Sequence, residues 1–237
     1  MKKLVFLVAV GLLMVLFAGV FFQRHAIACE VVGLVGWQGG ESNVFFHPGF
    51  DPDQQLEILS DFAEAQQRIS RVFGPPVSNP RVLIALDADS AAWGADATAS
   101  MHRAPRMCVV IGPHGRNVDV IAHELMHAEM QHRLGLIRTL RQLPSWFDEG
   151  VALMVDHREP FLPENIELEK EAIEAVTRLW SGRAFASQSD LRAGYQAARL
   201  AAGQRLGDHE LYAGLKRIRQ GEAFDQVFPM SGTEEMP

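Results

Sequence analysis

Ile121-Ala122-His123-Glu124-Leu125-Met126-His127 is the stretch on which the reading of this chain turns. On a helix, residues four apart share a face, so His123 and His127 can grip one metal ion together. Glu124 is rotated by about 100° from His123 and can address a metal-bound water without ligating the metal. Neutral imidazoles suit zinc, and a catalytic zinc needs three protein ligands and an open position. The motif alone is weak. With 9 His in 237 residues, His-Glu-x-x-His arises by chance in roughly 2% of such chains, so its surroundings must carry the argument.

Two surroundings do so. The segment follows a strand-like run, Met107-Cys108-Val109-Val110-Ile111, and a turn at Gly112-Pro113-His114-Gly115, with Asn117 or Asp119 placed to cap a helix. Downstream lies Pro144-Ser145-Trp146-Phe147-Asp148-Glu149-Gly150-Val151-Ala152, whose Glu149 can supply the third ligand from a second helix. Gly150 is expected to let that helix approach the first one closely.

The pair "HELMHAE" and "WFDEGVA" resembles the gluzincin branch of HExxH zinc metallopeptidases, which includes the thermolysin-like and aminopeptidase-like proteins. The resemblance covers roughly residues 107 to 157. It implies His123, His127 and Glu149 as ligands of one Zn2+ per chain and Glu124 as the general base. A metzincin would need glycine at 130 and histidine at 133, where this chain has Met130 and Arg133. Thermolysin-like proteins carry an aspartate four residues after the ligand glutamate, and here that position is Leu153.

Zinc can lower the pKa of bound water from 15.7 to about 7 and polarise a scissile carbonyl. Glu124 would take the water's proton and pass it to the leaving amine. The oxyanion then needs a donor, commonly worth about 3 kcal/mol. The resemblance implies a tyrosine or histidine from the helical lobe, and Tyr195 is the candidate. Its plainer reading is a ring that packs a helix. Ligating histidines usually give their outer ring nitrogen to a carboxylate. Asp156 lies two turns after Glu149 and could serve, while Asp119 reads as a helix cap and Asp148 points about 100° away from the metal. His132 reads as solvated, and His102 and His114 as loop residues. By resemblance, the strand Met107–Ile111 could be the sheet edge that aligns an extended peptide.

Further out, Asn43-Val44-Phe45-Phe46-His47 reads as a strand and Asp51-Pro52 as a helix start. Ile58, Phe62, Ala65, Ile69 and Val72 recur at helical spacing until Gly74-Pro75-Pro76. Arg81 to Asp87 reads as a second strand, and Ser90 to Ser100 as a small-residue loop. From Asn117 to about Phe228 the pattern is mostly helical. Strands and one helix followed by helices suggest an α+β fold: a small N-terminal sheet, the HExxH helix and a helical C-terminal lobe. The resemblance makes this a zincin-like domain. Its expected organisation is an N-terminal helix over 1–28, a linker over 29–42, the catalytic domain over 43–228 and a polar tail over 229–237.

Lys2-Lys3 precede Leu4 to Phe22, a run of apolar residues and glycine. Nineteen helical residues reach roughly 28 Å, enough for a bilayer core of about 30 Å. The run reads as an uncleaved anchor with Gln23-Arg24-His25 as its polar exit, or as a signal cleaved near Ala26-Ile27-Ala28. Either way the remainder is exported: membrane-anchored and extracytoplasmic (periplasmic in a Gram-negative cell), or secreted after cleavage. Cys29 and Cys108 could pair there, or Cys108 could be a small buried hydrophobe in its strand.

Net charge is −7. Setting Lys2 and Lys3 aside leaves 20 Lys+Arg against 29 Asp+Glu, a balance of −9. This disfavours nucleic acid as a partner. A peptide or protein substrate is the expected partner. Asn117, Asp119, Glu129, Gln131, His132 and Arg133 are also too polar for an intramembrane catalytic helix. The competing reading is a catalytically silent zincin-fold protein that binds a peptide or protein segment at the cell envelope. The intact Glu124 favours the enzyme, because a binding site has no use for a general base.

Overall fold

Short β-branched runs and long amphipathic ones alternate early in this chain, and both become structure. A computed structural model describes residues 29–39, 42–87, 90, 98–103, 106–207 and 209–229. The fold is a mixed α+β one. The expected helix over 1–28, most of the Ser90–Ser100 loop and nearly all of the tail lie outside the described residues. Among those described, no helix is long and apolar enough to cross a membrane. The chain divides into two units, Met1–Asp51 with Pro80–Gly115 and Pro52–Asn79 with Arg116–Pro237.

The first unit holds a five-stranded sheet in the order β1-β2-β3-β5-β4. Its strands are β1 (Gln38–Gly39), β2 (Val44–Phe46), β3 (Arg81–Ile84), β4 (Ala99–His102) and β5 (Cys108–Ile111). β2 and β3 run parallel with Val44 opposite Val82, and β3 and β5 run parallel with Arg81 opposite Cys108. β1 and β4 pair antiparallel at the two margins. Every residue of β5 is buried, as expected of a β-branched run flanked by strands on both sides. This corrects the reading of Met107–Ile111 as a sheet edge: β4 is the edge on that side. β4 itself, and His102 with it, was expected as loop, because Ala-Ser-Met-His has little strand propensity and is held by pairing to β5.

Residues 29–39, expected as linker, belong to this unit. Cys29 and Val32 are buried with Leu83, Cys108 and Val110, and Trp37 and Phe45 pack around them. Cys29 is bonded to Cys108, so Cys108 is both the buried strand residue and a disulfide partner. The Arg81 guanidinium donates to the Cys29 carbonyl. The bridge closes a separation of 79 residues, which the chain-entropy argument values at about 4.5 kcal/mol before any native-state strain is subtracted. Reduction is therefore expected to lower stability by about 2–4 kcal/mol. Thermal unfolding with and without dithiothreitol measures this, and identical midpoints would deny the bridge any structural weight.

The second unit is helical. α1 (Pro52–Phe73) buries Ile58, Phe62, Ala65 and Ile69 and leaves Val72 about half exposed. It packs on α2 (Val118–Leu134). α2 is buried on nearly all sides from Val120 to Gln131, the condition of a helix at the centre of a bundle. Its cap is Asn117, whose side chain accepts from the Val120 N–H at 3.0 Å. Asp119, expected as a cap, instead pairs with Arg68 and accepts from the His157 N–H. α2 ends where Gly135 takes φ +80°, a conformation glycine adopts without strain.

Next come α3 (Leu136–Gln142), α4 (Ser145–Ala152), α5 (Lys170–Val176), α6 (Gly182–Ala186), α7 (Leu191–Leu206), α8 (Leu211–Gln220) and α9 (Phe224–Val227). α4 carries Glu149 and is fixed at its start by aromatic packing. Trp146 and Phe147 meet Phe224 at 6.1 and 4.9 Å, and Phe147 meets Phe228 at 5.0 Å. Its other face lies on α7, where Ala197, Ala198, Ala201 and Ala202 are buried.

Gly150 belongs to that second contact. A Cβ there would sit 2.1 Å from the Ala198 carbonyl oxygen and 2.5 Å from the Ala202 Cβ. The close approach it permits is thus to α7, a correction to the expectation that it serves the HExxH helix. Gly150→Ala must push backbone away from backbone. We expect a loss of about 3 kcal/mol, the upper end of overpacking costs, read as a lower urea midpoint. A wild-type midpoint would show that the two helices part freely.

Candidate metal centre

Three side chains converge where α2 meets α4. His123 and His127 stand one turn apart on α2, with their Nε2 atoms 3.1 Å from one another. Glu149 Oε2 lies 3.3 Å from His123 Nε2 and 3.4 Å from His127 Nε2. Among the described residues these three form a group able to hold a metal ion. Tetrahedral zinc with N and O ligands at about 2.0–2.1 Å separates its ligand atoms by roughly 3.3 Å. The three separations fit that ion.

The outer ring nitrogens face carboxylates. Asp148 Oδ1 lies 3.0 Å from His127 Nδ1, and Asp156 Oδ2 lies 3.6 Å from His123 Nδ1. Asp148 was expected to point away from the metal; its carboxylate lies against the outer ring nitrogen of His127. Helical arithmetic gave its direction and could not say what would occupy it. Asp156 is 1% exposed and is held on both oxygens by Arg158, with Nε at 2.9 and 3.0 Å. Arg68 donates to the Val155 carbonyl at 3.2 Å and Asp119 accepts from the His157 N–H at 3.0 Å. The segment after α4 is thereby tied down residue by residue. Arg68 and Arg158 carried no signal in the sequence, because their partners lie far off or beyond a helix end.

The electrostatics favour positive charge at this point. Burial alone would neutralise both rings. For His123 it is outweighed by Asp156 and Glu149, and the ring's pKa rises. For His127 it is outweighed by Asp148 and Glu149, and the pKa rises well above the usual histidine range. Burial would likewise raise the Glu149 carboxyl, but the His127 and His123 rings hold it well below the usual range. A concentrated negative field with two imidazoles inside it suits a divalent cation as well as it suits protons.

Glu124 behaves differently. It is buried on α2 beside His123, and burial raises its carboxyl pKa, only partly offset by His127 and His123.

Comparison with protein-family models, with curated proteins and with solved structures finds no match for this chain.

Tyr195 is placed by aromatic packing on α7, its ring edge-on to Phe161 at 6.1 Å and to Phe185 at 5.2 Å. Tyr195 is not one of the three residues that could hold a metal. His132 is exposed at the end of α2. Leu153, where thermolysin-like proteins carry an aspartate, is buried and apolar.

Proposed function

We propose that this chain is a zinc-dependent peptidase with a zincin-like, gluzincin-type catalytic domain. The observation that carries the reading is the mutual 3.1–3.4 Å spacing of His123, His127 and Glu149, with Glu124 buried beside them. His123, His127 and Glu149 would hold the ion, while Asp148 and Asp156 orient the two rings and raise their basicity. When bound, zinc supplies Lewis acidity and brings the pKa of a coordinated water towards neutrality.

The remaining work falls to the chain's own groups. A carboxylate oxygen of Glu124 accepts a proton from the attacking water and returns it to the leaving amine nitrogen. Its raised pKa narrows the gap between the two transfers, which favours a group that must both take and give. The Tyr195 hydroxyl is proposed as the donor to the oxyanion. The substrate is a peptide or protein, and nucleic acid is disfavoured by the balance of −7. The Leu4–Phe22 run and the Cys29–Cys108 bridge support a membrane-anchored, extracytoplasmic chain, because structural disulfides persist in oxidising compartments.

The test is metal analysis of the full chain together with digestion of a peptide library. About one zinc per chain is expected, with cleavage that a chelator abolishes and added zinc restores. A zinc-free chain, or cleavage indifferent to the chelator, would overturn the proposal.

A further inference from the structure

Basic residues are unevenly spread over this acidic chain. Between Glu129 and Asp148 there is no acidic residue, and the same holds from Leu211 to Gly221. The two stretches meet at the C-terminal ends of α2 and α8, and α3 packs against both helices. There a cavity of about 580 Å³ is lined by Val77, His132, Arg133, Tyr212, Lys216, Arg219 and Gln220, with no carboxylate among them.

Part of this charge is spent internally. Arg133 donates to Glu129 at 2.5 Å and to the Pro75 carbonyl at 3.2 Å, with its guanidinium 3.4 Å from the Tyr212 ring centre. Arg217 is taken by Glu222. Arg219 donates to the Arg133 carbonyl at 3.4 Å, a neutral partner that leaves its charge, like that of Lys216, to face an anion in the cavity beside His132.

A second observation adjoins the first. α3 has the sequence Leu-Ile-Arg-Thr-Leu-Arg-Gln and exposes Ile137 at 67% and Leu140 at 64%. These two lie three residues apart and so on one face, alternating with Arg138 and Arg141. Val77 is 57% exposed. Aliphatic side chains bared on a helix that packs against the two lining the cavity, with Val77 in the lining itself, match a surface that offers anionic headgroups above an apolar layer. A soluble anion would use the cavity and leave Ile137 and Leu140 without a role.

We propose that the ends of α2 and α8, together with α3, dock on an anionic lipid surface. In this arrangement Ile137 and Leu140 enter the acyl boundary, and Lys216, Arg219 and His132 bind a lipid phosphate. The docking face shares no residue with the three-ligand group.

The experiment uses the full chain reconstituted in vesicles. An environment-sensitive fluorophore is placed at Ile137→Cys or Leu140→Cys, with Leu56→Cys, 65% exposed on α1, as the control. The native cysteines are paired, so the introduced thiol takes the label. Emission at 137 and 140 should shift to the blue and be quenched by brominated acyl chains in phosphatidylglycerol-containing vesicles. Position 56 should not respond. The response should fade in vesicles of phosphatidylcholine alone, at high salt, and in the Lys216→Glu, Arg219→Glu double variant.

No response, an equal response in both lipids, or an equal response at position 56 would overturn the proposal. So would inorganic phosphate binding at Lys216 and Arg219 with no lipid response, which would assign the cavity to a free anion. Zinc content is measured on the same variants and should not change. Failure of the docking face and failure of the metal reading are therefore scored separately.

Discussion

Glu124→Gln is expected to retain its zinc and lose peptide hydrolysis by about 10²–10⁴-fold, the range for removing a positioned general base. The replacement is nearly isosteric, so the buried site beside His123 keeps its shape. Glutamine's amide, however, cannot accept and return a proton. The loss should fall on kcat with little change in KM, because the group acts in the transition state more than in substrate binding. The same substitution also removes a negative charge from a crowded carboxylate cluster. With Asp148 and Glu149 close by, that removal should not weaken folding. Undiminished hydrolysis in Glu124→Gln would dismiss Glu124 as the base, and loss of zinc in this variant would make it a ligand.

Glu149→Ala should release the metal. It deletes the carboxylate that α4 brings to the two histidines of α2, which on the proposed reading leaves two protein ligands where a catalytic zinc needs three. Outer-sphere partners of ligating histidines typically contribute 10–100-fold to metal affinity, and loss of a ligand should exceed that. After dialysis against a modest chelator the variant should carry almost no zinc, while the wild type keeps about one per chain. Circular dichroism guards the interpretation. Glu149 is partly exposed, with 23% of its side chain accessible, so its truncation leaves no large cavity and the helical signal should persist. Full retention of zinc by a folded Glu149→Ala would withdraw Glu149 from the ligand set.

The legible parts of the fold are those with a local cause. Ile58, Phe62, Ala65 and Ile69 announce α1 by their spacing and form its buried stripe. Val82 to Ile84 and Cys108 to Ile111 announce strands by β-branching. His123 and His127 share a face because a helix repeats every 3.6 residues. What could not be read has a distant cause. β4 exists because β5 offers it a partner. Gly150 is glycine because Ala198 and Ala202, some fifty residues later, press against it. Asp148 acquires its role only because His127 stands where its side chain points.

By itself, then, the sequence determined the helix types, the α2 histidine pair, the position of Glu124 and an acidic chain with a basic tract between Glu129 and Asp148. Each follows from periodicity or composition within a few turns of chain. Tertiary structure alone decided that Glu149 reaches the histidines, that Asp156 is delivered to His123 by Arg158, Arg68 and Asp119, and that Cys29 finds Cys108. It also decided that the end of α8 joins the end of α2 in one cationic cavity. Such pairings cross tens of residues, where backbone periodicity carries no information and only packing sets the distance.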